Sequence, residues 1–394
     1  MKILHFSWEY PPVMFGGLGA HVVELTREQV RQGNEVVVVT QQSDPPSPVR
    51  ELIDGVMIVR ADNYYPEISF AQETLGSWVN GFALGSFRIA REFVRNWIPD
   101  LVHGHDWVGA QQAQLLSGYL NIPQVITIHA TEFGRHQGWI SSQISHVVHA
   151  RELKAIQQAN QIIVCSTYMK NELVNSLFAD PNKISVVPNG IDLEGIEPIV
   201  SDYRDVSAED RRVFTIGFLG RVEWEKGAHH VIDALKVLSH TRYRVKIIGV
   251  GSQLSDLKEK VRRNGLGDQV DFLGYVSTDR KRALLAECNA IVVPSTYEPF
   301  GIVALEAGAV GVPLIVSQVG GLRDVAPSLE YAYLLEQITG EAIADSVREI
   351  ESDPRDASVR ARNFANRVKD IYNWTSVAHE TAIVYQLAVR NVHV

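Results

Sequence analysis

Short continuous apolar runs alternate with longer stretches of helical spacing almost throughout the chain. In the first half the runs are 2–8 (KILHFSW), 35–40 (EVVVVT), 56–61 (VMIVRA), 101–105 (LVHGH), 124–129 (QVITIH), 161–166 (QIIVCS) and 184–189 (ISVVPN). A run such as EVVVVT, apolar on both faces of an extended chain, fits a parallel sheet covered by helices on both sides. The segment between two such runs, HVVELTREQVRQG (21–33), has helical spacing and ends in glycine. The pattern then restarts with 213–220 (VFTIGFLG), 244–250 (RVKIIGV), 269–274 (QVDFLG), 290–295 (AIVVPS), 313–317 (PLIVS) and 331–336 (YAYLLE).

Between the two series lies GIEPIVSDYRDVSAEDRR (195–212), polar, acidic and without periodicity, which predicts a linker. Two successive β-α-β series imply an α/β protein of two facing, doubly wound, Rossmann-like domains with a cleft between them. The expected division is 1–195 for the first domain and 196–372 for the second. Residues 373–394 are expected to be a helix that returns to the first. Ligands in such folds gather at the carboxyl ends of the strands, so motifs there carry most weight.

Composition narrows the field. The chain has 394 residues, 45% hydrophobic and 21% charged, with a net charge of −9 and a pI near 5.8. An acidic globular chain argues against a nucleic-acid partner, although it leaves room for a local basic pocket. No apolar run approaches the length of a membrane span, and the start MKILHFSW reads as a strand, with too short a core for a signal peptide. Only Cys165 and Cys288 are present, each in an apolar context. Two buried reduced thiols are the expectation, and with them a cytoplasmic location.

Four stretches at strand ends can carry chemistry. After the first strand, Gly16, Gly17 and Gly19 precede a helix, and exposed amides at such a helix start suit an anion. A dinucleotide fingerprint would need a third glycine where Val22 stands, and the loop is too long for one. In GRVEWEKG (220–227), Arg221 and Lys226 can clamp a diphosphate, the first as a planar fork and the second as a mobile charge. The bland alternative is a solvated loop paired with Glu223 and Glu225. In YEPFGIVALE (297–306), Pro299 and Gly301 mark a helix start, with amides near Gly301 and Ile302 available to the same anion. Two carboxylates beside an anion cannot bind it, but Glu298 and Glu306 suit hydroxyl groups. Finally, LVHGHDW places His103 and His105 on one side of a strand with Asp106 next, and His129 ends the following strand. A metal would need third and fourth ligands, and none appears at suitable spacing, so none is expected. Serine-hydrolase elbows and P-loops are absent.

Taken in order, GGLG, HGHDW, TIHATEFGR, VVPNGID, GRVEWEKG, YEPFGIVALEAGAVGVP and SQVGGLRD resemble the retaining GT-B glycosyltransferases over essentially the whole chain. The resemblance is to bacterial glycogen synthases and maltose-1-phosphate-forming glucosyltransferases. It implies transfer of a hexose, glucose above all, from ADP-glucose or UDP-glucose to an α-glucan or a sugar phosphate, without metal or other cofactor. It implies further that Arg221 and Lys226 hold the donor diphosphate, that Glu298 contacts the hexose hydroxyls, and that Glu306 binds the ribose. His129 would contact the sugar near its 6-hydroxyl and Gly17 a phosphate, with His105, Asp106, Gly301 and Ile302 also on the substrate side. One departure stands out. The glycogen synthases of the family carry a lysine two residues before the paired glycines, where this chain has Met14. That leaves a small acceptor as open as a polymer. A nucleotide-sugar epimerase on the same fold, or a transferase of another sugar such as mannose, are the alternatives.

Overall fold

The computed structural model describes residues 1–71, 73–193 and 213–392, so the expected linker at 195–212 lies outside the described residues. The chain divides into two compact units, one of Met1–Asp192 with Trp374–Val394, the other of Leu193–Asn373.

Unit 1 is built on an eight-stranded sheet: β1 (Lys2–Phe6), β2 (Glu35–Gln41), β3 (Arg50–Ile53), β4 (Val56–Ala61), β5 (Leu101–His105), β6 (Gln124–Ile128), β7 (Gln161–Val164) and β8 (Ile184–Val186). Their order across the sheet is β3-β4-β2-β1-β5-β6-β7-β8, with every pairing parallel except β3 with β4. Every residue of β5, β6 and β7 is buried, the two histidines of β5 included, so none of these strands turns an alternating polar face to solvent. β3, with the sequence RELI, is a short antiparallel edge that the apolar pattern does not announce. The helix Trp374–Val392 packs in this unit, where Val377, Val384 and Tyr385 join Ile3, Leu101, Val125 and Ile163 in one core.

Unit 2 carries a six-stranded parallel sheet of β9 (Phe214–Leu219), β10 (Tyr243–Ile248), β11 (Val270–Gly274), β12 (Ala290–Val293), β13 (Leu314–Ser317) and β14 (Tyr333–Leu335). The order is β11-β10-β9-β12-β13-β14. Numbered within the unit this is 3-2-1-4-5-6, so the connections reverse direction between β9 and β12. In unit 1 the same reversal falls between β1 and β5. At such a point the helices leave on opposite faces and a crevice opens beyond the carboxyl ends of the two central strands. Cys165 and Cys288 are both buried, and no disulfide joins them. Among the described residues, no helix is long and apolar enough to cross a membrane.

Candidate active site

In unit 2, the loop after β9 carries Arg221 and Lys226, and the loop after β12 carries Glu298. They meet at the switch point. Lys226 Nζ donates to Glu298 Oε2 at 2.7 Å, although 72 residues separate them. Glycines let the loops approach this closely. Gly227 has φ +72°, and a Cβ there would lie 2.2 Å from the Pro294 carbonyl oxygen. Gly320 has φ +53°, and a Cβ there would meet the Glu298 carbonyl oxygen at 2.0 Å. Gly321 N then donates to that oxygen at 2.9 Å. The paired glycines of SQVGGLRD therefore brace the backbone of Glu298. Its carboxylate is nearly buried and takes a second bond from the Ser295 hydroxyl at 3.4 Å.

Arg221 is more exposed and holds Glu225 at 3.4 Å, while Glu223 accepts the backbone amide of Ser252 at 3.0 Å. The two acids nearest the cations in sequence thus brace the loop, and Lys226 reaches past them to Glu298. The helix Ile302–Val310 starts from Gly301 without a side-chain cap hydrogen bond. Glu306 lies within this helix and is ion-paired with Lys281, a partner that spacing alone did not reveal.

In unit 1, the helix Gly17–Arg31 starts directly after Gly16. The amides of Phe15 and Gly16 both donate to Glu9 Oε2, each at 2.9 Å. A buried carboxylate of the chain itself thus shapes the glycine loop just ahead of Gly17, and sequence reading missed it. Met14 packs onto this loop, with its sulfur 2.6 Å from where a Gly19 Cβ would be. Beside it the rings of Trp8 and Phe15 stack at 5.0 Å, and Phe70 lies 5.7 Å from Trp8. Phe15 and Phe70 are exposed.

His129 follows β6, and its amide donates to Asp106 Oδ1 at 2.7 Å. Asp106 holds φ +52°, a strained conformation for a residue with a side chain, at the end of β5. Burial pushes its carboxyl up to about 6. His105 is fully buried behind His129, with Nδ1 3.4 Å from His129 Nε2. His103 is fully buried too, bonded to the Tyr385 hydroxyl at 2.7 Å and to Thr127 Oγ1 at 2.8 Å. Burial holds His129 down at about 4, so its ring is neutral at ordinary pH.

Near this corner the Glu152 carboxylate accepts the Glu132 amide through both oxygens, at 2.9 and 3.0 Å. Burial raises it to about 8 against that bond. A carboxyl raised by folding stabilises fully below its unfolded value, and that contribution is lost as pH rises through the folded one. Its share of stability should therefore fall by roughly 4 kcal/mol between pH 5 and 8. Glu152→Gln keeps an accepting oxygen without the proton. Thermal unfolding at pH 5 and 9 should show a smaller alkaline loss for the variant, and equal losses would refute the assignment.

The model for Glycosyltransferase Family 4 matches residues 15–194 and that for Glycosyl transferases group 1 matches residues 200–368. A glycogen synthase of Mycobacterium tuberculosis is 35% identical over 99% of this chain and 95% of its own length. The chain belongs to the GT-B glycosyltransferases. Among solved structures, a sucrose-phosphate synthase from Thermosynechococcus elongatus superposes with a TM-score of 0.81 at 23% identity, covering 98% of each chain. The catalytic domain of starch synthase IV from Arabidopsis thaliana, bound to ADP and acarbose, gives 0.75 at 16%, covering 99% of each. The two sheets of this glycosyltransferase are thus the GT-B pair, as the order of the motifs implies.

Proposed function

We propose that this glycosyltransferase moves glucose from a nucleoside diphosphate glucose, ADP-glucose or UDP-glucose, to the end of an α-glucan with retained anomeric configuration. The observation that carries this reading is the Lys226–Glu298 pair at the β9/β12 switch point. A cation and a hydroxyl-binding acid stand together where a sugar diphosphate needs one of each. In the unliganded protein they neutralise one another. The donor takes them apart, its diphosphate drawing Lys226 and Arg221 and its hexose hydroxyls taking Glu298.

Glu306 binds the ribose by exchanging its bond to Lys281. The amides at Gly301 and Ile302 add to the phosphate site. On the acceptor side, His129 contacts the hexose near its 6-hydroxyl, the Gly17 amide contacts a phosphate, and His105 and Asp106 hold His129 in place. In the transfer step the C1–oxygen bond to the diphosphate breaks as the acceptor hydroxyl oxygen bonds to C1 from the same face. The acceptor proton passes to the departing phosphate oxygen. Arg221, Lys226 and the helix amides stabilise the charge that grows there, so the step needs no metal.

A glucan acceptor is favoured over a sugar phosphate by the exposed rings of Phe15 and Phe70 beside the glycine loop. Aromatic faces suit the apolar faces of successive sugar units, and they offer nothing to a phosphate. The name of the mycobacterial relative agrees. The test is to incubate the protein with ADP-glucose or UDP-glucose and either a maltooligosaccharide or glucose 1-phosphate. Released nucleoside diphosphate and the anomeric form of the product are then measured. Chain extension with an α-linkage is expected. Product from glucose 1-phosphate alone would overturn the glucan reading, and no nucleotide release with any pair would overturn the whole. The better donor should also give the larger thermal shift, since binding to the folded state stabilises in proportion to occupancy.

A further inference from the structure

The first strands of unit 1 gather histidines from distant parts of the sequence into one buried group. His21 is 5% exposed, and its Nδ1 lies 2.9 Å from Asn189 Oδ1. An amide oxygen only accepts, so the His21 proton sits on Nδ1 and Nε2 presents a bare lone pair. That Nε2 is buried and has no hydrogen-bond partner among the described residues. A buried lone pair left so is costly.

A second lone pair follows from a chain of bonds. Gln29 Nε2 donates to the Tyr385 hydroxyl at 2.9 Å, which turns its carbonyl oxygen toward His5 Nε2, also at 2.9 Å. His5 donates there, so His5 Nδ1 accepts from His105 Nε2 at 3.1 Å. His105 Nδ1 is then bare. It stands 3.4 Å from His129 Nε2, at the long limit of a hydrogen bond. Two imidazole nitrogens on one tetrahedral zinc ion, each 2.0–2.1 Å from it, lie roughly 3.3–3.4 Å apart. One candidate ligand atom each from His21, His105 and His129 falls within 4.8 Å of the others. The three ring centroids are 4.7, 5.7 and 5.7 Å apart.

We propose that His21 Nε2, His105 Nδ1 and His129 Nε2 form a three-histidine site for a divalent transition ion of the zinc class. Its fourth position is left to a water or hydroxyl. Three nitrogens and no carboxylate select such an ion over calcium or magnesium, which want oxygen. Asn189 and the His5–Gln29 pair orient the ligands from behind, as outer hydrogen bonds do in metal centres. Sequence spacing hides the site, because its ligands come from a helix and the ends of two strands. The ion is an inhibitor rather than a participant. This consequence rests on the proposed role of His129, whose ring cannot serve the ion and the hexose together.

The test begins with chelator-treated protein titrated with Co²⁺. One equivalent should bind with the visible absorption of a tetrahedral ion, and Zn²⁺ should displace it. Asn189→Ala should weaken binding by about tenfold to a hundredfold. His21→Phe, which keeps ring volume without a ligand atom, should weaken it at least as much, with thermal unfolding confirming that each variant is folded. No saturable one-to-one binding overturns the site, as does binding by both variants as tight as by the wild type. Zn²⁺ should also inhibit turnover, less so as donor is raised. Stoichiometric binding that leaves turnover unchanged would uphold the site and overturn the placing of His129 against the hexose. Inhibition that persists in both variants would place the inhibitory ion elsewhere.

Discussion

Lys226→Ala should lower turnover by roughly a hundredfold or more while unit 2 stays folded. The ammonium is the less exposed of the two cations after β9, and it is aimed at the switch point by the 3₁₀ turn Trp224–Lys226. It meets the diphosphate as the donor binds, and its pull strengthens as the bond to the sugar breaks and charge grows on the leaving group, which is where an electrostatic contact accelerates chemistry most. The structure adds a second consequence. Removing Lys226 leaves the nearly buried Glu298 carboxylate, among the described residues, with the Ser295 hydroxyl, which should also destabilise the unit by a few kcal/mol. The two effects separate in Lys226→Ala/Glu298→Gln. The double variant should regain most of the lost thermal stability and none of the activity. Normal turnover in the single variant would remove Lys226 from the mechanism.

The strands were legible because a parallel strand buried on both faces must be continuously apolar. The runs at β2, β6 and β12 therefore announce themselves. β3 was not, since an antiparallel edge with Arg50 and Glu51 in four residues has no apolar run to show. The same logic divides the site. Arg221, Lys226 and Glu298 could be picked out because each stands at the carboxyl end of a strand, where this fold puts ligands. Their pairing could not, because it depends on β9 and β12 being neighbours, and strand order is not written in local pattern. Glu9, Lys281, His5 and His21 were missed for that reason. Each meets its partner only after folding: Glu9 across a loop, Lys281 between two helices, His5 where β1 lies beside β5, and His21 from the helix after β1, against Asn189.

Glu298→Gln and Glu306→Gln should fail in opposite ways. Glu298 is assigned to the hexose hydroxyls, and that contact positions the carbon at which bonds change. Its loss should be felt as the transition state forms, so kcat should fall strongly with a modest change in KM. Glu306 is assigned to the ribose, remote from the reacting bond, and holds ground state and transition state alike. Its loss should raise the donor KM more than it lowers kcat. The structure sharpens both expectations. Each substitution strips the partner of an ion pair, Lys226 in one case and Lys281 in the other. Freed from Glu298, Lys226 becomes more available to phosphate, so Glu298→Gln should bind the bare nucleoside diphosphate at least as well as the wild type. Glu306→Gln should bind it less well, because that ligand still carries the ribose. Titrating both variants with ADP and UDP decides the matter. If Glu298→Gln loses nucleotide affinity while Glu306→Gln keeps it, the hexose and ribose roles are assigned the wrong way round.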